Sequence, residues 1–516
     1  MGVVIFVFFL VCYLFCFAVT ALHDCHMFQL NSYKPGPHLN WLKRTLPGDW
    51  LPRHIFVMMS LVISFILESG PVGTAFFLLL QAYWNRPHRA KKPLVLTGRV
   101  KRMLATLSAF VILILAVSFI WKTGFYLVSG FALLCSPLLL LLANCVNAPI
   151  EKTINARYLR EAKAILAGMP GLVVIGVTGS YGKTSVKHFL HRILSAKYNV
   201  LMTPGNFNTT LGVVRTIREE LRPVHDVFIC EMGARGVGQI KEICELVKPK
   251  HGVVTAIGPQ HLEMFKSVEN IVATKFELAD ALPEDGLAFL NFDSPEIRER
   301  PLRGNAVTYR IESGPADYVA ADIAVSVEGS SFGVVLANSG KVRFETRLIG
   351  AHNVLNILAA IAVADRMGVP AGDIAVAVRR LESVPHRLQL LKRGDGMTII
   401  DDAYNSNAAG AKAALETLAL FDGFKILVTP GMVELGEMQD KCNFDFGVQA
   451  AEACDAVVLV GARQTKPILF GLEHAGYPAD KTHIVDTIEQ AFGVVAAIRT
   501  DRHKYVLLEN DLPDTY

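Results

Sequence analysis

The sequence predicts an α-helical membrane part followed by an α/β part built on a mostly parallel sheet, and three observations carry that expectation. Mean hydropathy over the 516 residues is +0.36, but the apolar excess is concentrated before residue 145. From Gly171 onward, short β-rich runs alternate with helical stretches, the pattern of a parallel sheet wrapped by helices. Between one such run, Leu172-Val173-Val174-Ile175, and the helical Val186-Lys187-His188-Phe189-Leu190 lies a glycine-rich turn.

In the N-terminal part, Val3 to Leu22, Met103 to Ile120 and Phe125 to Leu142 carry no charge. Each is long enough to cross a hydrocarbon core of ~30 Å. A cleaved signal peptide is the weaker reading of the first run, because no basic residue precedes it and no small-x-small site follows. Between Ile55 and Trp84, Glu68-Ser69-Gly70-Pro71 interrupts the apolar pattern, which predicts a tight helical hairpin or a re-entrant pair. The count for residues 1–145 is therefore four or five membrane helices. Arg86, Arg89, Lys91, Lys92, Arg99, Lys101 and Arg102 place their loop in the cytoplasm. Lys34, Lys43, Arg44 and Arg53 place the first loop there too, which favours five crossings, an N-terminus outside and a cytoplasmic chain after Asn144.

The net charge of +4 adds little, because the basic residues cluster beside membrane segments, where they would meet anionic lipid headgroups. No basic face with interleaved aromatics appears, so no nucleic-acid partner is expected. The nine cysteines include no C-x-x-C pair, which argues against a zinc ribbon or a disulfide framework and for reduced thiols.

Residues 146–170 read as an amphipathic connector, with Ile150, Ile154, Tyr158, Leu159, Ala162, Ile165 and Leu166 at helical spacing. A central α/β domain follows over 171–383, with strands around Val227-Phe228-Ile229, Gly252 to Ala256 and Leu287 to Leu290. Near residue 317 the runs Ile323 to Val327, Gly329 to Leu336 and Val342 to Phe344 look like an antiparallel insertion, and a long helix follows from His352 to Met367. Pro370 and Pro385 flank a second helix. A last α/β domain, 384–516, shows strands at Thr398 to Asp402, Lys425 to Thr429, Ala456 to Val460 and Tyr505 to Leu508.

Within the glycine-rich turn, Thr178-Gly179-Ser180-Tyr181-Gly182-Lys183-Thr184-Ser185, the glycines let backbone N–H groups close around phosphate oxygens. Lys183 can reach the β- and γ-phosphates of ATP and the Thr184 hydroxyl can ligate Mg²⁺. Val177 stands where a strict phosphate loop has its first glycine. Glu231 ends a downstream strand, where a carboxylate commonly completes a magnesium shell; alone it reads as a surface glutamate. His261 follows another strand in Gly258-Pro259-Gln260-His261-Leu262-Glu263, and Lys275 taken alone is a solvated helical lysine.

Together these points resemble the Mur ligases, ATP-dependent amino-acid and peptide ligases of peptidoglycan synthesis. The resemblance rests on Gly176-x-x-Gly179-x-x-Gly182-Lys183-Thr184, Asn206-x-Asn208-Thr209-Thr210-x-Gly212, Glu231-x-Gly233, His261-Leu262-Glu263 and Lys275-x-Glu277. It continues through Gly350-x-His352-Asn353-x-x-Asn356, Pro385-His386-Arg387 and Asp401-Asp402-Ala403-Tyr404-Asn405-Ser406-Asn407. It covers about residues 146–516, and the last motif is most similar to the MurF branch. It implies a central ATP-binding domain of the phosphate-loop type and a Rossmann-like C-terminal domain.

By that resemblance, Lys183 and the amides from Thr178 to Ser185 hold ATP phosphates, and Thr184 and Glu231 bind one Mg²⁺. His261 serves a second Mg²⁺, with Lys275 as the lysine that the family carbamylates. Asn353 and Asn356 contact adenine, Arg387 moves onto the phosphates and Asp402 contacts ribose. Asn206, Asn208 and Thr209 belong to the acceptor loop, with Tyr404 and Asn405 as further substrate contacts. The implied reaction activates a substrate carboxylate as an acyl phosphate, which an incoming amine such as D-Ala-D-Ala converts to an amide. The implied location is the bacterial cytoplasmic membrane, multi-pass, with the catalytic domains in the cytoplasm.

Two departures bear on the substrates. Membrane helices stand where MurF-type ligases begin with a UDP-binding domain, so the muropeptide acceptor is either lipid-linked or UDP-linked with the helices a simple anchor. The tail Leu508-Glu509-Asn510-Asp511 replaces a Lys-Gly-Ser-containing end, which leaves the amine open. The competing readings are a poly-γ-glutamate-type capsule ligase and a non-catalytic membrane scaffold of the cell-wall machinery. A transporter is disfavoured, because Glu68 is the one ionisable candidate within the apolar runs.

Overall fold

A computed structural model of the protein describes residues 2–45, 51–66, 71–84, 92–120, 125–260, 262–302, 304–337, 339–393, 396–404 and 406–511. The chain divides into two units, one through Ala156 and one from Arg157 onward.

The first unit is helical: Gly2–Leu30, Pro35–Thr45, Leu51–Ile66, Pro71–Trp84, Gly98–Ile120, Phe125–Leu134 and Ser136–Ala167, the last continuing past Ala156. Val3–Leu30 and Gly98–Ile120 are long and apolar enough to cross a membrane. The expected helix over Phe125 to Leu142 is instead two helices bent by 72°. The reason is Pro137, which has no N–H to give and whose ring collides with the carbonyl one turn back. Leu138 and Leu139 therefore both donate to the Cys135 carbonyl, at 3.0 and 2.9 Å, and a new helix starts. Leu51–Ile66 and Pro71–Trp84, at 16 and 14 residues, are short for a span of ~20. Among the described residues, two helices are long and apolar enough to cross a membrane, or three if the bent pair makes one, where the sequence reading expects four or five. The break at Glu68-Ser69-Gly70 and the loop residues Arg86, Arg89 and Lys91 lie outside the described residues. The expected connector is continuous with the helix before it, running through Pro149.

The second unit holds two sheets. The first comprises β1 (Val173–Thr178), β2 (Val200–Met202), β3 (Val227–Glu231), β4 (His251–Val254), β5 (Ala288–Asn291), β6 (Ala306–Arg310), β7 (Tyr318–Ser326), β8 (Gly329–Leu336) and β9 (Gly340–Thr346). Its order is β2-β3-β1-β4-β5-β6-β7-β8-β9. Pairing is parallel as far as β7 and antiparallel from β7 to β9. The run read as an insertion thus extends the same sheet. Two apolar layers cover it. Val186, Phe189, Leu190 and Ile193 pack with Ile357 to Ala364 in one, and Val213, Ile217, Ile240, Ile243, Ile271 and Leu278 lie in the other.

The second sheet contains β10 (Gln389–Arg393), β11 (Met397–Asp402), β12 (Phe424–Thr429), β13 (Ala456–Val460), β14 (Thr482–Val485) and β15 (Lys504–Glu509), in the order β10-β11-β15-β12-β13-β14. It is parallel except for β10 against β11. The four expected strands are β11, β12, β13 and β15. The edge strands β10 and β14 are additions.

Candidate functional site

Where an open parallel sheet has neighbouring strands whose connections diverge, the loops at their carboxyl ends form a crevice. Here β1 lies between β3 and β4, and those three ends carry the glycine-rich loop, Glu231 and residues 255–258. Gly179 and Gly182 adopt φ of 149° and 80°. A Cβ at Gly179 would stand 1.9 Å from Thr255 Oγ1, and one at Gly182 would stand 2.5 Å from Asn356 Oδ1. Backbone shape therefore calls for glycine at both positions, and a side chain at Gly182 would also push Asn356 aside.

The loop is braced from β4. Ser180 N–H donates to the Ala256 carbonyl at 2.7 Å and Tyr181 N–H donates to the same oxygen at 3.3 Å. Ser180 Oγ donates to the Gly258 carbonyl and Thr255 Oγ1 to the Tyr181 carbonyl. Thr178 is buried, and its hydroxyl donates to the Met232 carbonyl at 2.9 Å. Thr178, Ser180 and Tyr181 thus shape the loop. The amides left for phosphates are those opening the helix Lys183–Leu194, whose first N–H groups have no intrahelical acceptor. Lys183 Nζ donates to the carbonyls of Gly179 and Ser180, at 2.7 and 2.9 Å. Burial, with a smaller contribution from Arg387 against the opposing pull of Glu231, pushes its ammonium down to about 8. A cation held over backbone carbonyls in a dry site fits a polyphosphate, which would restore its charge.

The magnesium reading also fits. Thr184 Oγ1 lies 3.3 Å from Glu231 Oε1. Burial pushes the Glu231 carboxyl up, but Lys187 and Lys183 outweigh it and hold it ionised. Among the described residues no group of three His, Cys, Asp or Glu side chains gathers. A cation here would therefore draw on one carboxylate, one hydroxyl and phosphate oxygens, the usual economy of Mg²⁺. His261 lies outside the described residues. Lys275 is 3 % exposed, and burial first, then Lys183, push its ammonium well below the ordinary lysine value. It makes no hydrogen bond to any described residue, and its Nζ lies 6.0 Å from the Phe265 ring centroid. Glu277 has a structural duty: its two oxygens accept the N–H groups of Gly238 and Lys241, at 2.7 and 2.8 Å, capping the helix Gln239–Val247.

In the expected acceptor loop, Asn208 Nδ2 donates to Glu231 Oε1 at 3.1 Å. Thr209 is the N-cap of the helix Thr210–Glu219, its hydroxyl accepting from Gly212 N–H, and Asn206 is exposed. Asn353 Nδ2 donates to the Ile349 carbonyl at 2.9 Å, while Asn356 reaches the phosphate loop at Gly182. Ser185 sits in the first turn of the loop's helix.

At the carboxyl ends of β11 and β15, the Arg387 guanidinium stacks 4.5 Å over the Tyr404 ring. Asp402 Oδ1 accepts Leu388 N–H at 3.1 Å, and Asp402 stands opposite Glu509 in the β11–β15 ladder. Glu509 is 1 % exposed and accepts from Ser406 Oγ at 2.5 Å. Burial, then the neighbouring Asp402 charge, push Glu509 well above the carboxylate range, and burial raises Asp402 against the pull of Arg387. Burial thus opposes the ionisation of both neighbouring acids. Asn405 lies outside the described residues.

The sequence reading overlooked Lys187. It is completely buried and ion-paired with Glu231 at 2.9 Å. Its signal was position: one helical turn after Lys183, among the buried Val186, Phe189 and Leu190.

Residues 177–364 match the Mur ligase middle domain, and residues 386–508 match the Mur ligase glutamate ligase domain. The UDP-N-acetylmuramoyl-tripeptide–D-alanyl-D-alanine ligase of Escherichia coli K12 is 32% identical over 320 residues, which cover 61% of this chain and 70% of that protein. The Bacillus subtilis enzyme of the same name is 33% identical over 320 residues, 60% of this chain and 67% of that one. Among solved structures, MurF from Acinetobacter baumannii superposes with a TM-score of 0.62 at 27% identity, over 70% of this chain and 78% of that one. MurF ligase from Thermotoga maritima in complex with ADP gives a TM-score of 0.61 at 26% identity, over 69% and 80%. With its phosphate loop, its strand-end carboxylate and these relatives, the chain belongs to the Mur ligase family, ATP-dependent ligases that form amide bonds.

Proposed function

We propose that this chain is a MurF-like ligase of peptidoglycan precursor synthesis, joining a muropeptide carboxylate to an incoming amine such as D-Ala-D-Ala. The observation that carries the reading is Lys183 in its glycine loop beside Thr184 and the ionised Glu231. The acceptor carboxylate attacks the γ-phosphorus of ATP, ADP leaves, and the amine then displaces phosphate from the acyl carbon. Lys183 follows the charge that develops on the transferring group, and Arg387 adds a second cation from the C-terminal sheet. Magnesium, when bound, neutralises phosphate charge; Thr184 and Glu231 would hold it, with His261 and Lys275 serving a second ion. Burial favours the neutral amine of Lys275, the form that adds carbon dioxide to become a carbamate. Asn356 and Asn353 would meet adenine and Asp402 the ribose. Asn206, Asn208, Tyr404 and Asn405 would line the acceptor and amine sites, with Thr209 fixing the helix that follows.

In this reading the domains are a membrane part at 1–145, a connector at 146–170, a central domain at 171–383 and a C-terminal domain at 384–516. The apolar helices Val3–Leu30 and Gly98–Ile120 support an enzyme held at the inner face of a bilayer, in contact with its lipids and with its catalytic part in the cytoplasm. They fit a lipid-linked acceptor and, as a simple anchor, a UDP-linked one alike. The test is incubation with ATP, Mg²⁺, D-Ala-D-Ala and a panel of UDP-linked and undecaprenyl-linked muropeptides, with products weighed by mass spectrometry. Efficient turnover of the soluble acceptor with neglect of the lipid-linked one would leave the helices as a plain anchor. No amide product with any acceptor, and no ADP, would remove the ligase reading.

A further inference from the structure

We propose that Lys187 is a positioning residue for magnesium: it fixes the Glu231 carboxylate from behind and ties it to the loop carrying Asn206, Asn208 and Thr209. The inference rests on the reading of Glu231 as a magnesium ligand. Lys187 is 0 % exposed and Glu231 2 %. A buried ammonium persists only where it is paired and hydrogen-bonded. Its Nζ lies 2.9 Å from Glu231 Oε2 and donates to the Gly205 carbonyl at 2.7 Å. The other oxygen, Oε1, faces Thr184 Oγ1 at 3.3 Å and Asn208 Nδ2 at 3.1 Å.

The two oxygens therefore have separate duties. Oε1 shares the Thr184 side, where a cation bridging hydroxyl and carboxylate would sit, and Oε2 is held by Lys187 on the far side. Lys187 can stay in place when the cation arrives. The loop is fastened at further points. Thr203 Oγ1 accepts Glu231 N–H at 3.1 Å, and Gly233 N–H donates to the Asn208 carbonyl at 2.7 Å. A Cβ at Gly233 would stand 2.7 Å from Asn208 Cγ, so no side chain fits between strand end and loop. The helix behind the phosphate loop, the end of β3 and the acceptor loop thus meet on one carboxylate. Partners that orient a metal ligand typically change metal affinity about 10- to 100-fold when removed.

The experiment is calorimetric titration of ADP into the full chain across a series of Mg²⁺ concentrations, for the wild type and for Lys187→Met, Lys187→Gln, Lys187→Arg and Glu231→Gln. Thermal unfolding of each variant checks the fold. In Lys187→Met the half-saturating Mg²⁺ concentration should rise about 10- to 100-fold, while the affinity for magnesium-free ADP stays as in the wild type. Lys187→Gln, which keeps a donor for Gly205 without the charge, should show the same rise if the Met variant fails to fold. Lys187→Arg should recover part of the loss. A wild-type Mg²⁺ dependence in a folded Lys187→Met or Lys187→Gln, alongside a lost one in Glu231→Gln, would overturn the proposal. A wild-type dependence in Glu231→Gln would instead remove the magnesium reading beneath it.

Discussion

Replacing Gly182 by alanine tests the phosphate loop at the atom where backbone and nucleotide site meet. Gly182 holds φ 80° and ψ −12°, the left-handed region. An L-residue there costs roughly 1–2 kcal/mol. The new methyl would also stand 2.5 Å from Asn356 Oδ1, closer than a real Cβ approaches another atom. Because Asn356 is a flexible side chain, it swings away rather than breaking the fold, and the candidate adenine contact leaves its place. If the nucleotide site bears the cost, 1–2 kcal/mol is about a 5- to 30-fold loss of ATP affinity. Calorimetry measures that loss, and thermal unfolding should show a decrease of no more than about 8 °C. Gly372→Ala is the control, since Gly372 lies in the helix Ala371–Arg379 with nothing within 4 Å of the added Cβ. It should stabilise by up to ~1 kcal/mol without changing ATP affinity. Wild-type affinity in Gly182→Ala would refute the argument that this loop must keep its left-handed turn to receive phosphates.

Lys183→Ala should abolish acceptor-dependent phosphate release while the chain still folds, as read by a phosphate assay beside circular dichroism. Thr209→Ala removes an N-cap and should cost about 1 kcal/mol in denaturant unfolding; a large rise in the acceptor KM at unchanged stability would assign Thr209 to the substrate instead. Glu277→Ala uncaps the helix Gln239–Val247 and should lower stability by roughly 1–3 kcal/mol. The raised carboxyls of Asp402 and Glu509 make a pH prediction. Both folded carboxyls are raised, so the folded state binds more protons than the unfolded one above the ordinary carboxylate range. Stability from this pair is complete at acid pH and is lost as pH rises through the raised values. Glu509→Gln should flatten that decline and raise the unfolding temperature at neutral pH; an unchanged pH slope would contradict the raised Glu509 carboxyl.

What the sequence revealed was what local chemistry determines. The phosphate loop needs only a strand, glycines and a helix start in succession, and Glu231 was visible as the polar end of an apolar strand. The antiparallel run from β7 to β9 showed in its alternation, although its membership of the main sheet depends on the β6–β7 pairing and could not be read locally. The strands β2, β10 and β14 were hidden because they are short edge strands whose ladder comes from neighbours distant in sequence. Lys187 drew no notice and Lys275 taken alone looked like a solvated helical lysine, since burial of a charge is decided by the strand packed against it. Thr209 and Glu277 sit inside the recognised motifs yet work as helix caps, a duty defined by the N–H groups they meet. The bend at Cys135 was misjudged because hydropathy outweighed Pro137.

The claim on which the rest depends is that a carboxylate takes the γ-phosphoryl group of ATP before the amide forms. It is tested by supplying a muropeptide acceptor labelled with ¹⁸O at both carboxylate oxygens and weighing the released phosphate. Attack by the carboxylate places one labelled oxygen between carbon and phosphorus, and displacement by the amine breaks the carbon–oxygen bond, so one ¹⁸O leaves in each phosphate and the other stays in the amide. Unlabelled phosphate formed along with amide product would contradict the account.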